Sequence, residues 1–390
     1  MNSSQEHPRL RIGINALYLI PGSVGGTEIY LRNLLQAMAA LDHESTFFVF
    51  TNRETDSGLV PPSSHFIEIR QPIRAANRPL RLAWEQTFLP LEARKLRLDC
   101  ILNPGFTAPV ITHCPNVTVF HDLQHKRHPE HFRWFDKPAW DLFLGLAVRR
   151  SRMLIADSEA TRDDLIRYYN VNPSRVRVAL LGVEDEFFSI AAVRGPVRPY
   201  LLCVSTIHPH KNTIRLVRVF DRFRRERPEF RLVLAGLRGF QAPEVERQIA
   251  ELNLTDCVKM TGWIPRVEIY DLFRHAAAFV YPSTFEGFGL PVIEAMAAGV
   301  PLACSDIEPL RSITGDAAVK FDPHSDEDML AALHRVVSNP DTVEPARVRA
   351  RQFTWRHCAE ETLAAIRSAV TGEDPPAESS YRSLSRGTSQ

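Results

Sequence analysis

The chain has 390 residues, about twice a typical domain, so two domains with separate cores are expected. Its 47 basic and 46 acidic side chains nearly cancel, which excludes nucleic-acid binding driven by overall charge. Six scattered cysteines never form a CxxC pair, no apolar run is long enough to span a membrane, and the N-terminus lacks the apolar core of a signal peptide, so reduced thiols and a cytoplasmic location are expected.

Residues 10–16 alternate like a strand and break at Pro21-Gly22-Ser23-Val24-Gly25-Gly26, after which 27–41 has helical apolar spacing. This strand, glycine loop and helix lack the GxGxxG spacing of a dinucleotide site, and a glycine loop here serves equally as a plain turn. Strand-like runs recur at 46–51, 65–70, 99–102, 117–120, 153–156 and 176–181, with helices at 81–96, 137–149 and 160–169. The alternation predicts a parallel sheet covered by helices on both faces.

Two places in this half carry chemistry. His121-Asp122 follows the run 117–120, at the carboxyl edge of the sheet where open α/β folds bind ligands; a packed structural histidine fits the same position. Asp122 either orients that imidazole or caps the next segment. A metal site at His121, His125, His128 and His131 is rejected, because Pro129 interrupts any helix and no HExxH or cysteine partner is present; a mobile loop is expected instead. Between 70 and 97, basic residues outnumber acidic ones and interleave with Leu80, Leu82, Trp84, Phe88 and Leu89. That pattern suits an ordinary amphipathic surface helix or a weak dock on anionic membrane.

The stretch 191–198 has no apolar period and holds Gly195-Pro196, so the domain boundary is placed there. A strand at 200–204 then leads through Ser205-Thr206-Ile207-His208-Pro209-His210-Lys211-Asn212 into a helix at 213–225, repeating the opening unit. The second sheet continues through 231–235, 258–260, 277–281, 302–304 and 318–321. Gly262-Trp263-Ile264-Pro265 lies at a strand end, as either a ligand contact or a turn with a packed Trp.

The centre of the chain is 281–299, YPSTFEGFGLPVIEAMAAG, read as a strand end, a glycine turn and a helix. Gly287 and Gly289 admit close backbone approach, and the helix start with its exposed amides suits a diphosphate. Glu286 and Glu294 flank the turn and suit the hydroxyls of a sugar and a ribose, although taken alone each is also an ordinary surface glutamate.

The run EGFGLPVIEA followed by MAAGVP resembles the Glu-x7-Glu signature of the large retaining glycosyltransferase family called family 4, or glycosyltransferase group 1, and the resemblance covers nearly the whole chain. It implies a GT-B fold: two Rossmann-like α/β domains facing each other across a cleft, with the helix at 359–370 crossing back to the first. The expected divisions are 1–193 for the acceptor-side domain, 194–352 for the nucleotide-sugar domain, 353–370 for the crossover helix and 371–390 for a disordered tail. By the same resemblance, donor binding falls to Gly25, Gly26, Ser205, His210, Lys211, Ile264, Glu286, Gly287, Phe288, Gly289, Leu290 and Glu294. His121, Glu286 and Lys211 are the catalytic candidates. Ser205 and His210 depart from the family pattern, and His210 in place of arginine makes pH-dependent donor binding an expectation.

The implied reaction is metal-independent transfer with retention, needing no cofactor beyond the donor. The opening segment together with His121-Asp122 resembles bacterial mannosyltransferases of surface-polysaccharide and lipopolysaccharide assembly, which implies GDP-mannose as donor, a glycan or lipid-linked saccharide as acceptor, and a place in the cytoplasm or on the inner face of the plasma membrane. A UDP-sugar donor, a nucleotide-sugar epimerase and a non-catalytic binding protein are the alternatives.

Overall fold

A run such as 47–51 offers nothing polar enough to face water on one side, so it needs cover on both faces. In the computed structural model, which describes residues 9–131, 137–338 and 341–373, such runs lie inside parallel sheets. The first sheet contains β1 (Arg11–Asn15), β2 (Thr46–Thr51), β3 (Phe66–Arg70), β4 (Cys100–Asn103), β5 (Asn116–Phe120), β6 (Met153–Ala156) and β7 (Val176–Val178), in the order β3-β2-β1-β4-β5-β6-β7. The second contains β8 (Arg198–Val204), β9 (Arg231–Ala235), β10 (Val258–Gly262), β11 (Ala276–Tyr281), β12 (Leu302–Ser305) and β13 (Val319–Phe321), in the order β10-β9-β8-β11-β12-β13. Each is a Rossmann-like α/β sheet. In each the strand order reverses once, between β1 and β4 and between β8 and β11, and such a reversal opens a crevice at the carboxyl ends of the strands.

The chain divides into two compact units, residues up to Leu180 together with those from Trp355 onward, and Leu181–Thr354. The break at Leu180 precedes the Gly195-Pro196 stretch expected to mark it. The reason is a helix missed in the sequence, Asp185–Ala192, whose Phe187 sits edge-on to Tyr270 and Phe273 at 5.1 and 5.2 Å and so belongs to the second core. In that core Leu216, Phe220 and Phe223, one face of the helix Thr213–Glu226, pack with Leu232 and Leu234 of β9. Burying a side chain of that size contributes about 1.5–3 kcal/mol.

The last helix, Trp355–Thr371, packs on the helix Gly26–Leu41 within the first unit, with the Tyr30 and Trp355 rings 6.2 Å apart. Its inner face buries Cys358, Ala359, Leu363 and Ile366. Residues 374–390 of the expected tail lie outside the described residues. All six cysteines are buried and unpaired. Among the described residues no helix is long and apolar enough to cross a membrane.

Candidate active site

In the second unit the loops leaving β8 and β11 meet at the reversal of strand order. Asn212, in the left-handed conformation with φ 57°, donates its side-chain amide to the carbonyls of Pro282 at 3.1 Å and Pro323 at 2.8 Å. The Thr284 amide donates to the His210 carbonyl at 2.7 Å. These bonds lace the two loops together and bring Lys211 Nζ to 2.6 Å from Glu286 Oε1 and 3.1 Å from the Tyr281 hydroxyl. The pair is nearly enclosed, with side-chain exposures of 14% and 8%. A buried ion pair contributes little net stability, because desolvation offsets attraction, whereas removing one partner strands the other at a cost of about 3–5 kcal/mol. Its chemical value is a cation and a carboxylate held apart from water at one point.

Glu286 is followed by a turn anchored by side chains. Phe288 and Leu290 are buried, Phe288 edge-on to Phe353 at 6.0 Å, so their packing fixes the path of the turn. Gly289 has φ 105°, and a Cβ there would lie 2.5 Å from Leu310 Cδ2, so both conformation and space require glycine at the head of the helix Leu290–Ala297.

Glu294 lies inside that helix and is 2% exposed. Arg266, at the start of the helix Arg266–His275, donates to its Oε1 and also to Glu184, reaching Glu184 Oε2 through Nε at 2.7 Å. The Tyr270 hydroxyl donates to the same Glu184 oxygen at 3.3 Å, and the guanidinium lies 4.9 Å from the centre of the Phe187 ring. Burial pushes the Glu294 carboxyl above the ordinary range, with Arg266 pulling against it. Burial also works against the Arg266 charge, but Glu294 and Glu184 outweigh it and raise its pKa. Neither Arg266 nor Glu184 is signalled in the sequence, since they stand 28 residues before Glu294 and 82 before Arg266.

Of the other residues expected around the donor, Ser205 continues the ladder by donating to the Ala235 carbonyl at 2.9 Å. His210 is buried, its ring stacked 5.9 Å from that of His208, and its carbonyl ties the loops. Ile264 is half-buried beside Trp263, which is 57% exposed rather than packed.

In the first unit the loops after β1 and β4 flank the reversal. Gly25 has φ 60°, and a Cβ at Gly26 would meet nothing within 4 Å. The loop is closed by Glu28, which accepts from the Gly22 amide at 2.7 Å. His121 Nδ1 lies 2.7 Å from Asp157 Oδ2, and its Nε2 lies 2.9 Å from the Pro104 carbonyl. Asp157, at the end of β6, therefore orients the imidazole, while Asp122 caps the next turn by accepting from the Gln124 amide at 3.0 Å. Both ring nitrogens face acceptors, an arrangement that favours the protonated imidazole. Burial opposes that charge, but the Asp157 carboxylate outweighs it, and the His121 pKa rises above the ordinary imidazole value. A ring so engaged cannot take a proton from a substrate hydroxyl.

The Pro104 carbonyl is itself positioned by a buried network. Glu85, 3% exposed, accepts from Asn15 at 3.0 Å and from Thr107 at 2.8 Å, pinning the loop after β4. Burial raises the Glu85 carboxyl, against the donors Asn15 and Thr107. His125, expected on a mobile loop, is instead buried in the helix Gln124–Arg127, its Nε2 2.7 Å from the Tyr169 hydroxyl, and burial lowers its pKa to about 4. Among the described residues no group of three or more His, Cys, Asp or Glu is arranged to hold a metal ion.

The sequence profile described as Glycosyl transferases group 1 matches residues 188–353, and the one described as Glycosyltransferase Family 4 matches 24–187. The chain is 27% identical to the O-antigen chain mannosyltransferase B of Escherichia coli over 64% of its own length and 70% of the relative's. It is 29% identical to the MMP alpha-(1->4)-mannosyltransferase of Mycolicibacterium hassiacum over 89% and 95%, and 25% identical to a glycogen synthase of Mycobacterium tuberculosis over 91% and 94%. The sucrose-phosphate synthase of Thermosynechococcus elongatus shares the fold, with a TM-score of 0.76 at 20% identity over 94% of this chain and 100% of that one.

Proposed function

Because the chain belongs to the group 1 glycosyl transferases and has their GT-B pair of Rossmann-like domains, we propose that it transfers mannose, with retention and without a metal, from GDP-mannose to a glycan or lipid-linked saccharide of cell-surface polysaccharide synthesis. The observation that carries the reading is the Lys211–Glu286 pair, enclosed at the reversal of strand order and followed by the glycine turn at the head of the helix Leu290–Ala297. On donor binding, Lys211 turns to the diphosphate and Glu286 accepts from the sugar hydroxyls, so one charged pair is exchanged for two new contacts. The amides from Gly287 to Leu290 face the same diphosphate, and Glu294 accepts from the ribose.

In the reaction the bond from the anomeric carbon to the diphosphate breaks, and its electron pair stays on the phosphate oxygen. The acceptor oxygen forms its new bond on the same face through an oxocarbenium-like state, and its proton passes to the departing diphosphate. Lys211 and the amides stabilise the charge that develops there, which is the main catalytic term. His121, whose two ring nitrogens are engaged by Asp157 and Pro104, contributes by bracing the loop after β4 beside the sugar and not as a base. Mannose as the sugar rests on the two mannosyltransferase relatives, while the glycogen synthase relative favours a glucosyl donor as the second reading.

Calorimetric titration with GDP, UDP and ADP, repeated with Glu294→Ala, tests the reading. Selective GDP binding that weakens about tenfold or more in the variant supports it. Preference for UDP or ADP moves the donor to the second reading, and loss of transfer in EDTA counts against metal independence. For the acceptor we further propose a lipid-linked saccharide reached by peripheral docking. Along the helix Arg78–Lys95, Leu80, Phe88 and Leu91 form an exposed stripe that runs to Arg94 and Lys95. Flotation with anionic but not with neutral vesicles is the expected result.

A further inference from the structure

The proposed donor site leaves one half-buried charged group without an assigned task. Arg266 bridges Glu294 and Glu184 in a pocket walled by Phe187 and Tyr270. The cluster holds two carboxylates and one guanidinium, and its Glu294 is among the least exposed acidic side chains of the described residues. A carboxylate so enclosed loses hydration and tends to take up a proton unless a cation holds it ionised. The charged groups facing Glu294 are Arg266 and, behind it, Glu184. Arg194 and Arg347 lie past the far end of its helix, at Gly299.

We propose that Arg266 is a positioning residue for nucleotide recognition: it keeps Glu294 anionic and fixed, so that the ribose diol of the nucleoside diphosphate meets a double acceptor. Glu184 holds the guanidinium from the other side and sets its orientation. A neutral Glu294 carboxyl would bring one donor and lose acceptor strength, so it would bind the diol less well. This rests on the reading of Glu294 as the ribose contact.

The test compares GDP with 2′-deoxy-GDP, and uses inorganic pyrophosphate as a probe of the phosphate site, from mildly acidic to mildly alkaline pH. The unaltered protein is expected to prefer the ribonucleotide by about tenfold at every pH. In Arg266→Met that preference should vanish at neutral pH and return as the pH rises and Glu294 ionises, with pyrophosphate affinity unchanged. Arg266→Lys, which keeps the charge but not the fork, should retain about a third of the preference and supplies the test if the neutral variant does not fold. An undiminished, pH-independent preference in both variants overturns the role of Arg266. No preference in the unaltered protein, with pyrophosphate still bound, overturns the ribose reading of Glu294 and the proposal with it.

Discussion

The two units solve the same architectural problem with opposite chemistry. Each is a parallel sheet with one reversal of strand order, and each gathers a charged pair at the carboxyl ends of its strands. In the second unit the crevice holds an ion pair, Lys211 with Glu286, whose members are proposed to part for the diphosphate and the sugar of the donor. In the first the charged pair is His121 with Asp157, and the imidazole spends its second nitrogen on the Pro104 carbonyl. The lesson is that a buried charge pair in a ligand crevice serves either as a docking point or as a brace, and the partners of its remaining polar atoms tell which.

The comparison is broken most severely at Lys211. Lys211→Met should strand Glu286 and lower turnover about 10²- to 10³-fold, as losing a charge-stabilising group does. Thermal unfolding should shift by the equivalent of about 3–5 kcal/mol, and adding Glu286→Gln should recover stability but not turnover. The brace predicts a different outcome. Asp157→Asn should cost about 2–4 kcal/mol in denaturant unfolding, with its effect on activity following from misplacement of the loop after β4. The sign of its pH dependence is fixed. The folded pKa of His121 lies above its unfolded value, so the contribution is complete below about pH 6.5 and is lost as pH rises through the folded value. A stability difference between the variant and the unaltered protein that grows with pH would contradict the brace.

The glycines sharpen the contrast at smaller scale. Gly289→Ala should cost about 1–3 kcal/mol, since its φ of 105° is forbidding to a side chain and Leu310 fills the space. Gly26→Ala, with open space around it, should change stability by less than about 0.5 kcal/mol. A fall in donor affinity without a fall in stability would then mark Gly26 as a place of ligand approach.

Much of this was legible in the sequence. Strands β2, β6 and β9 were bounded by their apolar runs, Gly289 was marked by the local turn pattern, and Glu286 and Lys211 stood out only through the family resemblance. What escaped were the partners. Asp157 stands 36 residues from His121, and Arg266 stands 28 from Glu294. Nothing in local spacing distinguishes these charges from the many solvated ones. The helix Asp185–Ala192 escaped because its short apolar face, Phe187 and Ile190, follows directly on a loop and resembles linker until Tyr270 and Phe273 are seen beside it. At Trp263 the sequence left a ligand contact and a packed turn both open, and its exposure removes the packed one.

The return of the helix Trp355–Thr371 to the first unit has a consequence for biosynthesis. The second unit is one uninterrupted segment, so its core can close as soon as Thr354 clears the ribosome. The first unit, although it emerges earlier, waits for residues 355–371 to receive the helix that covers Tyr30 and the face around it. A nascent chain therefore completes its second half before its first. In the interval its leading domain displays an apolar groove to chaperones, and a transcript cut short before Trp355 yields a product with that groove permanently open to proteolysis.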